Sequence, residues 1–251
     1  MLSPDRNEQQ HPVVSRDEWL KVRKAHLKNE KALTHLRDLV NAERRELPWV
    51  KVEKEYSFDT PAGKKTLAEL FGKNSQLIVY HFMWRWDLGQ GCDGCSFLCD
   101  HVDGANQHIK HHDVSFVAIS RGKLPDLLAY KKRMGWQFDL VSSYGSDFNY
   151  DYHVSFTEEQ MASGQIDYNY QMIPQEHGFN ELPGISVFYK DEHGDIFHTY
   201  SSYARGGDIL IGAHNFLDLT PKGRNENGNM GWMKRHDEYE AAGDAPSCCH
   251  S

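Results

Sequence analysis

The sequence lacks a hydrophobic run long enough to cross a membrane, and it lacks an excess of basic residues. A membrane-spanning helix needs about 18 consecutive apolar residues, and the most apolar run, which begins at Leu77, is interrupted by His81 and Arg85. With 28 Lys and Arg against 36 Asp and Glu, the formal net charge is −8. Such a chain has no general attraction for a polyphosphate backbone. We therefore expect neither a membrane nor a nucleic-acid partner.

Cysteine is scarce, and its distribution argues against a disulfide-stapled extracellular fold. The five cysteines are an odd number in two clusters, whereas small secreted scaffolds carry even sets of cysteines along the chain. Residues 1–10 are polar and contain no apolar segment of the kind found in secretory signals. These absences predict a protein of a reducing compartment, and we expect a cytoplasmic location.

The chain is well supplied with the residues that build a folded core. Of its 251 residues, 39% are hydrophobic and 12% are aromatic, which is typical of a globular protein and not of a disordered one. Near the N-terminus, Ser15 and Glu18 form a capping box, and Pro48 marks the end of a long amphipathic helical pattern. The predicted organisation is a tail and helix packed on the core, a folded domain, and a polar tail, at residues 1–48, 49–220 and 221–251.

The most informative motif is the C-x-x-C of Cys92 and Cys95, which follows the most apolar run of the chain. Residues 77–84 are rich in β-branched and aromatic side chains and predict a buried strand. A polar loop follows, and one helix is predicted from the cysteines to about residue 109. A thiol at a helix N-terminus has a lowered pKa because of the helix dipole. The context predicts redox chemistry, with Cys92 as the attacking thiolate and Cys95 as the resolving thiol.

The order of the remaining predicted elements matches the thioredoxin arrangement. A second buried strand is predicted at 114–120 and a helix at 124–134, while strands at 185–190 and 196–203 flank a hairpin turn. Residues 143–182 show weak periodicity and are interpreted as an insertion. The predicted fold class is therefore α/β, with a thioredoxin-like central mixed sheet flanked by helices, an N-terminal helical extension and an insertion before the last hairpin.

Six segments also carry a resemblance to a known family. They are residues 91–96 (GCDGCS), 132–136 (KRMGW), 142–151 (SSYGSDFNYD), 197–201 (FHTYS), 217–224 (LDLTPKGR) and 235–239 (RHDEY). The chain resembles the uncharacterised thioredoxin-like family catalogued as domain of unknown function 899, in the peroxiredoxin-like branch of the superfamily, over roughly residues 15–240. The resemblance implies a thioredoxin-like fold and brings no established reaction with it.

Two features of related families are missing from this sequence. Peroxiredoxins carry a Pro and a Thr or Ser before the attacking cysteine, and residues 84–91 contain neither. We therefore expect hydrogen peroxide to oxidise Cys92 only as fast as an ordinary thiolate. Thioredoxins place a cis-proline just before the last hairpin. Pro183 lies a few residues early, so we expect Ile185 or Ser186 at that place.

A metal site is the main alternative to redox chemistry. Cys99 lies four residues after Cys95 and seven after Cys92, so one helix face carries all three thiols. With His101 as a fourth ligand, this set suits copper or zinc. The redox interpretation requires no cofactor, and a non-catalytic interaction module is a third possibility that the fold alone does not exclude.

Substrate-binding residues are predicted on both sides of the cysteine loop. Trp84, Arg85 and Trp86 flank it, and Arg85 suits an anionic substrate or a thiolate, or alternatively an ion pair with Asp87. Tyr144 and Asp147 belong to a polar aromatic stretch that suits a pocket wall or a lid.

The predicted reaction is thiol–disulfide exchange through a mixed disulfide at Cys92 that Cys95 resolves. The expected partners are a cellular thiol reductant and an unidentified disulfide or oxidised small molecule. Cys248 and Cys249, near the end of the chain, form a second pair that suits a resolving or a chelating role, or no role.

Overall fold

A computed structural model describes residues 11–175, 178–226 and 230–239. The chain divides between Pro48 and Trp49 into two compact units. The first contains the unbroken helix α1, Arg16–Arg45. The Ser15 hydroxyl accepts a hydrogen bond from the Glu18 N–H group, and the Glu18 carboxylate accepts one from the Ser15 N–H group. The predicted capping box is confirmed, whereas the packing of this helix on the core stays a prediction.

The second unit, which begins at Trp49, contains the sheet and the shorter helices. Its helices are α2 (Leu67–Leu70), α3 (Asp93–Cys99), α4 (Val102–Ile109), α5 (Leu124–Arg133), α6 (Phe148–Asp151), α7 (Glu158–Ala162) and α8 (Gly212–Leu217). Its strands are β1 (Val50–Lys51), β2 (Ser57–Thr60), β3 (Gly63–Thr66), β4 (Gln76–His81), β5 (Trp84–Arg85), β6 (Gln90–Gly91), β7 (Val114–Ser120), β8 (Asp139–Ser142), β9 (Gln165–Tyr168), β10 (Gln171–Pro174), β11 (Gly184–Lys190) and β12 (Ile196–Tyr203). Turns of 3₁₀ helix lie at Lys110–His112, Ala204–Leu210 and His236–Glu238.

Eight of these strands form one mixed sheet in the order β1-β12-β11-β4-β7-β8-β2-β3. Strands β4, β7 and β8 run parallel to one another, whereas β11 is antiparallel to β4 and β12 is antiparallel to β11. The first core strand, β4, therefore lies between a parallel and an antiparallel neighbour, with the last hairpin outside it. This is the thioredoxin-like fold that the sequence predicted.

The two faces of the sheet are covered by different apolar clusters, because side chains alternate along each strand. Leu77 and Val79 of β4 point to one cluster, and Ile78 and Tyr80 point to the other. Burying such a side chain completely contributes about 1.5–3 kcal/mol to folding. The second cluster also contains Cys95, Cys99, Phe116, Leu127 and Trp136. The sheet therefore holds α3 and its cysteines against the Tyr80 face.

The helix predicted from the cysteines to residue 109 is instead two helices, α3 and α4. The break lies at His101, which has φ −97° and ψ 0°. Its ring Nδ1 lies 2.8 Å from the Phe97 carbonyl oxygen, the group that a continuous helix bonds with the His101 N–H. A side chain that competes in this way for a backbone acceptor ends the helix locally.

The insertion at 143–182 has a regular structure of its own. It contains α6, α7 and the β9–β10 hairpin, and Val154, Phe156, Ile166 and Tyr168 form a small cluster with Tyr203 of β12. Its elements are only four or five residues long, so their periodicity is too short to stand out in the sequence. Among the described residues, no helix has the length and apolar character that crossing a membrane requires.

Candidate functional site

The two cysteines of the motif lie in different surroundings at the start of α3. Cys92 is the N-cap residue, with φ −63° and ψ 141°, and its side chain is half-buried. Hydrogen bonding from the Cys95 thiol is the largest influence that stabilises the Cys92 thiolate, and the N–H groups of Cys95 and Gly94 contribute less. These donors stabilise the thiolate and outweigh the effect of burial, so the pKa of Cys92 is lowered to about 7.

Cys95 has the opposite character, because its side chain is only 1% exposed. Burial raises the pKa of Cys95 well above its ordinary value, and the hydrogen bond that it donates to Cys92 raises it further. Its sulfur lies 3.5 Å from the backbone nitrogen of Met83, which follows β4. The described structure thus contains one accessible thiol that ionises near neutral pH and one buried thiol that stays protonated beside it.

The loop that delivers Cys92 is held by close packing at Gly91. A Cβ atom at this position would lie 2.5 Å from the ring of Phe82 and 2.6 Å from the ring of Tyr130. The Cys92 N–H group donates to the carbonyl of Met83, at 3.2 Å. Only a glycine allows the loop to approach the core this closely, and this approach fixes where α3 begins.

Arg235, from the predicted polar tail, is buried beneath the same loop with 4% of its surface exposed. Its guanidinium donates to the Gly91 carbonyl at 2.6 Å and to the Tyr130 hydroxyl at 3.0 Å. It also forms an ion pair with Asp93, at 2.9 Å. Asp93 is a negative charge that opposes ionisation of Cys92, so the ion pair with Arg235 reduces this repulsion. Residues 230–239 therefore belong to the site, although the sequence predicted only a polar tail.

A small cavity of 110 Å³ opens beside the two thiols. Cys92, Cys95, Tyr80, Pro183, Tyr203 and Met230 are among the residues that line it.

Pro183 therefore faces the dithiol, and none of the described residues has a cis peptide bond. Ile185 also lines the cavity, whereas Ser186 is buried against His81 on the opposite face of the sheet. Strand β11 begins at Gly184, one residue earlier than predicted. Pro183 therefore directly precedes the last hairpin, at the position where Ile185 or Ser186 was expected.

Three of the predicted substrate-binding residues line a different cavity, of 680 Å³. Trp84, Arg85 and Trp86 lie on its wall with the buried carboxyl group of Glu181. Glu181 accepts hydrogen bonds from the Trp84 N–H group at 3.0 Å and from the Trp86 indole at 3.1 Å. Arg85 forms an ion pair with Asp87, with contacts of 2.9 and 2.6 Å. This was the alternative that the sequence left open to binding of an anionic substrate or a thiolate.

The other two predicted residues do not line this cavity, although the ring centroid of Tyr144 lies 6.3 Å from that of Trp86. Tyr144 is exposed and lies near Lys123, and Asp147 forms an ion pair with Lys54, at 2.9 Å. None of the five predicted substrate-binding residues is among those that line the cavity at Cys92. Their role in substrate binding stays a prediction.

The proposed metal ligands are not gathered into one site. Cys99 is fully buried, and burial raises its pKa. Both ring nitrogens of His101 are engaged, Nδ1 with the Phe97 carbonyl and Nε2 with the Ala213 N–H group at 3.0 Å. Within residues 11–175, 178–226 and 230–239, no three His, Cys, Asp or Glu side chains are placed to hold a metal ion. The predicted second thiol pair, Cys248 and Cys249, lies outside the described residues.

Sequence reasoning missed the residues that come to the dithiol from distant parts of the chain. Pro183 was judged too early in the sequence, and Met230 and Arg235 lie in a segment whose polar composition predicted no packing. The one available signal was the RHDEY segment at 235–239, which belonged to the family resemblance but had no assigned place in the fold.

A family model described as "Bacterial protein of unknown function (DUF899)" matches residues 8–239 of the chain. No curated protein matches the sequence significantly.

The solved structures that match the chain share little sequence with it. A peroxiredoxin Q of Xanthomonas campestris has 11% identity and a TM-score of 0.41, with 65% of this chain and 91% of that chain covered. A putative thiol:disulfide interchange protein DsbE from Chlorobium tepidum has 12% identity and a TM-score of 0.39, with coverage of 65% and 93%. Peroxidoxin BcpB from Mycobacterium tuberculosis has 11% identity and a TM-score of 0.39, with coverage of 66% and 94%.

Proposed function

The chain belongs to the bacterial family of unknown function DUF899, and we propose that it is a thiol–disulfide oxidoreductase that uses Cys92 and Cys95. One observation carries the proposal: a partly exposed thiol has a pKa lowered to about 7, chiefly by hydrogen bonding from a neighbouring buried thiol whose own pKa is raised. The attacking sulfur must be a thiolate, and a second sulfur with a raised pKa stays protonated until the mixed disulfide has formed.

The reaction has two steps. The Cys92 thiolate attacks one sulfur of a substrate disulfide, and its S–S bond breaks as a mixed disulfide forms and one substrate thiolate leaves. Cys95 then loses its proton and attacks the Cys92 sulfur, which releases the second thiolate. The released thiolates take up two protons, one lost by Cys95 and one from water, so the substrate gains two electrons and two protons and the protein is left with a Cys92–Cys95 disulfide. The leaving Cys92 sulfur is again a stabilised thiolate when a reductant reopens this bond.

The partners follow from this cycle. A cellular thiol reductant restores the dithiol, and the substrate is a disulfide or an oxidised small molecule that reaches Cys92. The proposed location is the cytoplasm, where thiol reductants are maintained. The cycle needs no metal or organic cofactor, since both electrons are carried by the sulfur atoms.

The proposal is tested by the reduction of insulin disulfides with dithiothreitol as the electron source. The parent protein for this assay carries Cys248→Ser and Cys249→Ser, so that only the three described cysteines remain. We expect the parent to accelerate insulin reduction, Cys92→Ser to abolish the acceleration, and the buried-site control Cys99→Ala to retain most of it. A parent protein that reduces insulin no faster than dithiothreitol alone would contradict the proposal.

A further inference from the structure

A second cavity, of 490 Å³, continues from the cavity at Cys92. The two cavities share Pro183, Ala204, Asp208 and Met230 in their walls. Together they form one groove, with the thiols at one end and the side chains of α8 and the segment after it at the other. A ligand whose sulfur meets Cys92 can therefore extend into the second cavity.

The far end of this groove contains a histidine whose ring nitrogens have no hydrogen-bond partners. His214 of α8 is only 1% exposed, and neither of its ring nitrogens has a hydrogen-bond partner. Burial, with the nearby positive charge of Arg224, lowers its pKa, so the ring is neutral near pH 7 and offers one acceptor nitrogen. A buried polar group without a hydrogen-bond partner destabilises the protein by about 1–3 kcal/mol. A ligand that supplies the missing hydrogen bond reduces this penalty.

The charges around His214 leave one carboxylate unbalanced. Arg224 forms ion pairs with Asp208 at 3.1 Å and with Asp218 at 2.9 Å, and Arg205 forms a further pair with Asp208 at 3.2 Å. These two arginines offset the two aspartates.

Glu226 lines the same cavity and has no arginine or lysine partner among the described residues. Its Oε1 atom accepts a hydrogen bond from the Trp232 indole at 3.0 Å and lies 3.8 Å from His214 Nε2. That separation is too long for a hydrogen bond. In the tautomer that carries its proton on Nδ1, the neutral imidazole presents Nε2 to the carboxylate as a second acceptor, and a donor between the two can bond to both.

From this arrangement we infer that the groove recognises disulfides that carry a primary amino group. The ammonium group lies between Glu226 and His214 and donates hydrogen bonds to both. The aliphatic arm crosses the cavity between Pro183 and Met230, and the sulfur reaches Cys92. The inference rests on the proposed function and adds the substrate class: a low-molecular-weight, amine-bearing disulfide, which Cys92 and Cys95 reduce to two aminothiols.

The test compares two small disulfides, cystamine, which carries two ammonium groups, and the neutral 2-hydroxyethyl disulfide. Rates of oxidation of the reduced protein are measured in single turnovers, and each is divided by the rate of dithiothreitol with the same disulfide to remove intrinsic differences in reactivity. We expect a normalised preference of about tenfold for cystamine. Added ethylammonium chloride should lower the cystamine rate more than sodium chloride of equal ionic strength does.

Glu226→Gln removes the charge with almost no change of shape, and we expect it to reduce the preference to about one. The matched control is Glu192→Gln, which removes a carboxylate whose side chain is 88% exposed in the hairpin turn, and it should keep the preference of the parent. If both disulfides react but the normalised rates are equal, or if Glu226→Gln keeps the preference, the amine site is wrong and the proposed function stands. If neither disulfide oxidises the dithiol, the proposed function fails and this inference fails with it.

Discussion

Cys92 and Cys95 are chemically identical residues three positions apart, and the fold makes them different acids. Cys92 is the N-cap residue of α3, where the Cys95 thiol and the N–H groups of Cys95 and Gly94 stabilise its thiolate. Cys95 lies one turn further on, against Tyr80 and the sheet. The chemistry of the site thus follows from where α3 begins, which is fixed by the packing of Gly91 against Phe82 and Tyr130.

The largest effect on the pKa of Cys92 is the hydrogen bond from Cys95, and a pair of variants isolates it. Cys95→Ser keeps a hydroxyl donor, so the pKa of Cys92 should stay near that of the parent. Cys95→Ala removes the donor and should raise that pKa by about one to two units, since a hydrogen bond to a charged group contributes about 1.5–3 kcal/mol and one unit corresponds to about 1.36 kcal/mol. The measurement is the rate of alkylation of Cys92 against pH in the background with serine at positions 248 and 249.

In the parent protein the alkylation rate should rise with pH and reach half its maximum at about 7. The rate rises because the reactive species is the thiolate, whose fraction grows as pH passes the pKa. Equal midpoints for the alanine and the serine variant would show that the Cys95 side chain does not stabilise the Cys92 thiolate.

At the scale of elements, the site is closed by the segment 230–239, which acts as a strap across α3 and α5. Arg133 of α5 forms ion pairs with Asp237 at 2.7 Å and with Glu238 at 2.9 Å. On the other side, His236 Nδ1 lies 2.8 Å from Asp100, the residue after α3. Arg235 joins the strap to the cysteine loop from below. The strap therefore stabilises the loop through polar contacts, several of them sheltered from water.

Arg235→Gln should destabilise the protein by about 3 kcal/mol, because it leaves the Gly91 carbonyl, the Tyr130 hydroxyl and Asp93 without a charged donor in a buried place. The free energy of unfolding is measured by urea denaturation. Lys64→Gln is the control: it removes an exposed lysine that pairs with Asp59 at 2.9 Å, and such a pair contributes at most about 1 kcal/mol. A loss for Arg235→Gln no larger than that of the control would mean that the strap does not hold the loop.

At the scale of the whole molecule, the sequence predicted the order of the elements around the dithiol. Strands β4 and β7 are long apolar runs rich in β-branched residues, and the last hairpin has a D-x-x-G turn, so their patterns are strong. The C-x-x-C motif could be placed between a strand and a helix because both neighbours were recognisable. These local signals were sufficient for the thioredoxin-like fold and for the two central residues of the candidate site.

The surroundings of the dithiol could not be predicted in the same way. Its groove combines β4, the start of β11, the turn after β12 and the strap, which are up to about 150 positions apart in the chain. The periodicity of a sequence does not show which distant segments contact each other. The polar composition around Arg235 also gave no sign that this residue is buried, because its burial depends on hydrogen bonds to distant residues. Conversely, Trp84, Arg85 and Trp86 are near Cys92 in sequence but line another cavity, which they share with Glu181.

The roles of Cys92 and Cys95 are tested most directly by the reaction of the reduced protein, with serine at positions 248 and 249, with Ellman's reagent. We expect two equivalents of thionitrobenzoate to be released in a fast phase and peptide mapping to find a Cys92–Cys95 disulfide. The Cys95→Ser variant should release one equivalent in that phase and keep a mixed disulfide at Cys92, because the resolving sulfur is gone. Release of a single equivalent by the parent, or a first adduct at Cys95 or Cys99, would contradict the assignment of Cys92 as the attacking and Cys95 as the resolving thiol.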